Sequence, residues 1–211
     1  MGLEGLISGK FDLMAVYEEH GVRFEYPDGW ELSHEHHDED FTVTVESGGT
    51  AFWMLSVLSG RPVAEDVIEA ALDSFRSEYE PVDVYESDDS ICMLPTVAKD
   101  VDFYELEMVN RASLRVCETD STTIFVLSQM ADTEREEVGP LLKVISDSLM
   151  CDSGDEGELV DDLAPFAFDN LFGAVDNVIE ASAELHIGEA GVTDGLSDAD
   201  SDTSEEESGD L

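Results

Sequence analysis

Apolar residues along this chain change their period several times, and each change marks an element. Val22, Phe24 and Tyr26 alternate with Arg23 and Glu25, Pro27-Asp28-Gly29 supplies turn residues, and Trp30 and Leu32 resume the alternation around Glu31. That is the pattern of a hairpin. Phe41, Val43 and Val45 alternate with Thr42 and Thr44, and after Gly48-Gly49 the run 51–58 is apolar at nearly every position. Such a run predicts a central strand covered on both faces. From Val63 the spacing becomes four: Val63, Val67, Ala71, Phe75 and Tyr79, widened by Ile68 and Leu72, predict an amphipathic helix that Pro81 ends. Extended segments follow around 82–85, 97–108, 112–117 and 122–129, with Asn110 and Glu118-Thr119-Asp120-Ser121 as turns, and their short separations predict antiparallel neighbours. A second helix opens at Thr133 and Glu136, which have capping-box spacing, and carries Val138, Leu141, Leu142, Ile145 and Leu149 on one face. Pro140 predicts a kink or a true start at that position.

Strands, a helix, more strands and a closing helix specify an α+β fold with an antiparallel sheet flanked by helices. The stretch Val22-Arg23-Phe24-Glu25-Tyr26-Pro27-Asp28-Gly29-Trp30 is a strand ending in proline, a tight turn and a tryptophan opening the next strand. In this it resembles the PsbP-like superfamily, whose members include the extrinsic photosystem II protein, a Ran-binding nuclear import factor, bacterial DcrB lipoproteins and chaperones of type VI secretion effectors. The resemblance extends over residues 14–150 as an order of elements. It implies an α/β/α sandwich that serves as a binding platform without catalysis. No functional residue of those members finds a matching motif here.

Charge changes the picture at the C-terminal end. The 211 residues carry 52 Asp and Glu against 9 Lys and Arg, a formal charge of -43, with 42% hydrophobic residues. That apolar content excludes a wholly disordered chain. Residues 1–150 hold 33 of the acids and all of the bases, whereas 151–211 hold 19 acids and no base. The expected organisation is an extension over 1–13, since Met14 reads as the more conventional start, then a PsbP-like domain over 14–150. A linker over 151–157, an amphipathic helical segment over 158–187 and a disordered acidic tail over 188–211 follow. The acid excess repels nucleic acid, no run of 18 apolar residues is present to span a membrane, and the start lacks the basic flank of a signal peptide. Only three lysines occur, against six arginines, which fits an acidic, salt-adapted surface stabilised by screening.

Candidate chemistry is sparse. Cys92, Cys117 and Cys151 form no C-x-x-C pair, so the expectation is reduced thiols in a cytoplasmic protein, with neither a disulfide framework nor a zinc-thiolate site. Cys117, on a strand after Arg115, reads as a structural residue at a partly exposed position. His34, His36 and His37 sit with four carboxylates in 34–40, read as a loop between strands, and imidazoles suit zinc, copper or nickel. Phe52, Trp53 and Met54 read as sheet core. No nucleophile elbow, phosphate loop or zincin motif is present, so neither an enzyme nor a cofactor is expected. Phe168, Leu171, Phe172, Val175 and Ile179 recur at helical spacing as candidate partner-binding residues, docking on this chain or in a partner's groove. The expected function is a non-catalytic protein-binding module, adaptor or chaperone-like, using a sheet or helix face, with its tail tuning association. Its expected state is a monomer or weak homodimer. The alternative is a metal or small-ligand module centred on the histidine segment.

Overall fold

The computed structural model describes residues 13–37, 39–105 and 107–151. The expected 158–187 helical segment with its five candidate partner-binding residues, the 188–211 tail and nearly all of the 1–13 extension lie outside the described residues. The chain runs β1 (Met14–Glu19), β2 (Val22–Pro27), β3 (Glu31–His37), β4 (Asp40–Glu46), β5 (Phe52–Leu58), α1 (Ala64–Glu78), β6 (Val82–Glu86), β7 (Thr96–Glu105), β8 (Met108–Glu118), β9 (Thr123–Ala131), a 3-10 turn, α2 (Arg135–Ser148) and β10 (Met150–Cys151). The strands form a seven-stranded sheet in the order β3-β4-β5-β9-β8-β7-β6 and a three-stranded sheet in the order β1-β2-β10. Every pairing is antiparallel. The fold is α+β, as the element order predicts.

The continuous apolar run is strand β5, and all seven of its residues are buried. Its even positions, Phe52, Met54 and Leu58, join Val101, Phe103, Leu114, Val116, Phe125 and Leu127 under α1, whose Val67, Ile68, Ala71, Leu72 and Phe75 form the covering stripe. The helix crosses this face because it must carry the chain from β5 to β6 at the far edge. It ends at Tyr79 before Pro81, and the Ala64 N–H at its start donates to Glu118 Oε1 at 3.0 Å, a carboxylate from the end of β8 acting as a remote cap. The odd positions, Trp53, Leu55 and Val57, meet Phe24, Phe41, Val43, Val45, Ile124, Val126, Leu142 and Ile145 on the other face. There the cover is mixed: α2 and the small sheet share it. The Phe24 ring lies 4.7 Å from that of Trp53, and Trp53 Nε1 donates to Ser146 Oγ at 2.9 Å.

Several expectations are corrected. Strand β1 was not expected, because MAVYEE exposes or half-exposes every residue but Tyr17 and shows no inward alternation. Residues 34–37 are not a loop: β3 runs through His37, paired residue for residue with β4. Asn110 is not a turn but a buried position within β8, and the chain reverses between Glu105 and Met108, which pair directly. Thr133 does not cap α2, for it lies in the 3-10 turn Asp132–Glu134, and Glu134 stands at the N-cap without a side-chain hydrogen bond. Pro140 neither opens nor ends the helix; it lies inside α2. Cys92 and Cys151 are a disulfide, 59 residues apart with Cα atoms 5.8 Å apart, because the pairing of β10 with β2 brings Cys151 beside the 87–95 loop.

Glu31 and Glu46 stand directly opposite each other on β3 and β4. Burial first, and the facing Glu31 second, push the Glu46 carboxyl above its ordinary value. A raised folded value means that this side chain contributes stability below the unfolded pKa and loses it as pH rises through the folded one. Glu46→Gln therefore raises the urea midpoint at pH 7, and its advantage over the parent protein shrinks as pH falls toward 4. A separate denaturation series tests the clasp: replacing both Cys92 and Cys151 by serine, which opens a 59-residue separation, lowers stability by about 2–4 kcal/mol.

Candidate functional site

The two faces of the large sheet are covered unequally. Along β6, β7 and β8, residues opposite to the α1 side form successive rungs: Tyr85 faces Asp100, which faces Ser113, and Asp83 faces Asp102, which faces Arg111. Tyr104, on the next rung, faces Val109. The apolar cover of α2 and the small sheet gathers on β4, β5 and β9. Tyr85 and Tyr104 remain 48% and 53% exposed, on a half-face that is otherwise polar. Arg111 is held flat across it by two parallel hydrogen bonds, Nε to Asp102 Oδ1 at 2.6 Å and Nη2 to Asp102 Oδ2 at 2.7 Å.

Arg115 marks the seam between covered and open halves. Its side chain is 7% exposed, and its Nη1 donates to the Lys99 and Leu114 carbonyls at 2.8 and 3.0 Å. Its Nη2 is within reach of Asp100 Oδ1 at 2.8 Å and of Ser87 Oγ and Asp89 Oδ2, each at 3.0 Å. A buried charge with this many acceptors is a clamp, since each one repays part of its desolvation. What it clamps is the 87–95 loop, which Ile91 N–H donating to Thr96 Oγ1 and the Cys92–Cys151 bond fix further. A cleft of about 110 Å³ lies above it, lined by Asp89, Ser113, Arg115, Ser128, Lys143 and Asp147 among others. Lys143 is committed to Asp147 at 2.9 Å, and hydrogen bonding to that carboxylate raises its pKa against the opposing effect of burial.

The histidines are divided by the pleat of β3. His34 and His36 share the side of Val43 and Phe41, while His37 points to the opposite side with Glu35, whose carboxylate is 3.7 Å from it. The three candidate ligands are therefore not one cluster. In place of His37 the fold supplies His20, from the turn between β1 and β2, with its ring 4.9 Å from that of His36 and 4.5 Å from that of Phe41. His20 was missed because nothing in its spacing to 34–37 reveals that two different sheets meet there. Among the described residues, no group of three or more His, Cys, Asp or Glu could hold a metal ion.

Cys117 is fully buried rather than partly exposed, and burial pushes its thiol from 9.0 to about 12, the reverse of what a nucleophile needs. Phe52, Trp53 and Met54 are core, as expected, at 1% exposure or less. Sequence reasoning passed over Tyr85, Tyr104, Arg111 and Arg115. Strand alternation could have put the tyrosines on one face, but only register joins them to the arginines.

No protein-family profile matches the sequence, and no curated protein does. Among solved structures, the chain is similar to PA94 of Pseudomonas aeruginosa, a protein of unknown function, with a TM-score of 0.38 and 15% identity over 62% of this chain and 91% of that one. It is similar to LpqN of Mycobacterium tuberculosis, involved in cell envelope biogenesis, with a TM-score of 0.41 and 11% identity over 65% and 90%. A cyanobacterial PsbP from Synechocystis sp. PCC 6803 gives a TM-score of 0.38 and 14% identity over 66% and 92%. These likenesses concern the fold alone, and no residue role is carried across. Among the described residues, no helix is long and apolar enough to cross a membrane.

The clamp can be tested directly. Arg115→Met leaves Asp100 and Asp89 without their cation and costs about 3 kcal/mol in urea unfolding, the low end for a buried pair because both carboxylates keep access to water. Hydrogen exchange at 87–95 should accelerate far more than at β5.

Proposed function

We propose that this chain is a non-catalytic protein-binding module of adaptor type, whose working surface is the open half-face of β6, β7 and β8. The carrying observation is that Tyr85, Tyr104 and a fixed Arg111 share the half of a sheet that no described element covers, while its other half is sealed by α2 and the small sheet. Tyrosine and arginine are enriched at the centres of protein interfaces, tyrosine because it brings large area with few rotors and arginine because it brings a fork of directional hydrogen bonds. Rigid strands hold them, which lowers the ordering cost of binding.

Charge selects the partner's chemistry. Asp83, Asp100 and Asp102 lie on the same half-face, and its arginine is paired. Among the described residues most of the other cations are ion-paired as well: Arg23 lies near Glu18 and Glu25, Arg76 near Asp73, Lys99 near Glu86 and Arg135 near Asp132. A segment carrying lysine or arginine beside an apolar residue suits this face, the cation meeting the exposed Asp83 and the tyrosine rings taking the apolar part. Its polarity favours an adaptor over a chaperone that shields hydrophobic client segments. Against catalysis, the thiol outside the disulfide is sealed in the core, and the cleft's Arg115 and Lys143 are consumed by ion pairs.

The test is affinity capture with the full chain, followed by mass spectrometry and binding curves for the proteins retained. Tyr85→Ala and Tyr104→Ala should each weaken a captured partner about tenfold, or 1.4 kcal/mol, with unchanged melting temperature, and binding should weaken with added salt. A captured set indifferent to both substitutions would sink the reading.

A further inference from the structure

The 87–95 loop is held at its two ends by different chemistry. Ser87 and Asp89 are gripped by Arg115, and the Ser87 N–H donates to the Ala98 carbonyl at 3.3 Å. The second half turns on Cys92 and Met93, consecutive non-glycine residues with φ of 52° and 56°. Side chains disfavour that left-handed region, so the surroundings must impose it. Ile91 N–H donating to Thr96 Oγ1 at 3.1 Å and Leu94 N–H donating to the Ile91 carbonyl at 3.0 Å share that task with the Cys92–Cys151 bond. On the other side of the bond, β10 comprises only Met150 and Cys151, paired with Arg23 and Val22. The bond thus joins a turn under backbone strain to a strand of two residues.

A reductant can reach it. Cys92 and Cys151 are half-buried rather than sealed like Cys117, and their neighbours Met93 and Met150 are 93% and 55% exposed. Beside the turn, the buried Ile91 forms one wall of the cleft of about 110 Å³, which Val126, Met130 and Leu142 also line.

We propose that the Cys92–Cys151 bond is a reversible redox modification site, and that its reduction by a dithiol opens this cleft. One thiolate of the dithiol attacks a sulfur of the bond and forms a mixed disulfide, while the displaced cysteine leaves as a thiolate and takes up a proton. The second thiol of the dithiol then displaces the other cysteine, so the dithiol ends as a disulfide and two electrons and two protons have passed to the protein. Without the bond, the turn at Cys92 and Met93 relaxes out of the left-handed region and Ile91 withdraws from the wall. Val126, Met130 and Leu142 then meet solvent beside Ser113 and Arg115, where the open half-face begins. Arg115 still holds Ser87 and Asp89, so the release stops short of β6. It is local opening, in a fold whose β5 core remains closed.

Hydrogen exchange on the full chain, oxidised and after dithiothreitol without denaturant, tests this, with iodoacetamide labelling and mass spectrometry to follow the cysteines. Reduction should make Cys92 and Cys151 label and should speed exchange of the Ile91 and Leu94 amides about tenfold or more, with β5 amides unchanged. Fluorescence of Nile red, a neutral dye that the acidic surface does not repel, should rise. Oxidised glutathione should reverse all three changes. The double variant Cys92→Ser, Cys151→Ser should exchange fast at Ile91 and Leu94 from the start and ignore dithiothreitol. The proposal is overturned by a bond that dithiothreitol leaves intact, by unchanged exchange at Ile91 and Leu94 or unchanged dye fluorescence after reduction, or by exchange that rises equally at β5. A response to dithiothreitol that persists in the double variant overturns it as well.

Discussion

Strand β5 must be covered twice, and the rest of the molecule follows from how that is done. Phe52, Met54 and Leu58 point one way and Trp53, Leu55 and Val57 the other, and the most exposed of them is only 9% accessible. One face is met locally: the next element in the chain, α1, lies across it on the way to β6. The second face is met by the two ends of the described chain, the β1–β2 hairpin and α2, which come together above Trp53. They are stitched to each other by β10 pairing with β2 and by the Glu25 N–H donating to Ser148 Oγ at 2.8 Å. Burying a tryptophan between them is favourable only if its indole N–H has an acceptor, and Ser146 provides it.

Two short elements cannot reach across seven strands, at about 4.8 Å per strand. The cover on the second face therefore stops near β9, and the residues beyond it become polar: Ser113 and Asp100 where the other face has Leu114 and Val101. Arg115 occupies the boundary because a long side chain can lie along apolar surface while its guanidinium finds acceptors at the polar side. Its bonds to Asp89 and Ser87 draw the 87–95 loop against the sheet. Cys92 in that loop then meets Cys151 at the end of β10. The clamp and the disulfide thus close one seam from two directions, and the open half-face begins where the seam ends.

What the sequence made legible and what it hid divide along this line. The core of β5, the stripe of α1 and the apolar face of α2 were legible because burial imposes a period that composition displays. Strand β3 was only half legible: Trp30 and Leu32 signalled its start but were read as the hairpin partner of β2, whereas β2 and β3 lie in different sheets, and its four exposed polar residues from His34 read as loop. The reversal between Glu105 and Met108 was hidden because its sequence lacks glycine, proline or asparagine, while Asn110 nearby supplied a false signal. For the site, residue types were visible but partners were not. Nothing in the spacing of Arg111 and Asp102, or of Arg115 and Asp89, distinguishes these pairs from many others in so acidic a chain. Cys92 and Cys151 show the same limit, since 59 intervening residues hold no motif.

Acidity, finally, constrains how this sheet can be used. Both edge strands carry charge: Glu31 and Glu35 on β3, Asp83 and Glu86 on β6. Charged side chains on an edge deter another strand from adding to it, a protection that a seven-stranded sheet needs. Recognition by strand addition is thereby disfavoured at both ends, which leaves side chains on a face as the means of contact. On the α1 side that face is occupied by a helix, and under α2 it is sealed by the tryptophan layer. Among the described residues, the β6–β8 half-face is what remains. There the same surplus of carboxylates that protects the edges becomes a source of specificity, because it turns away acidic surfaces and rewards a cationic one.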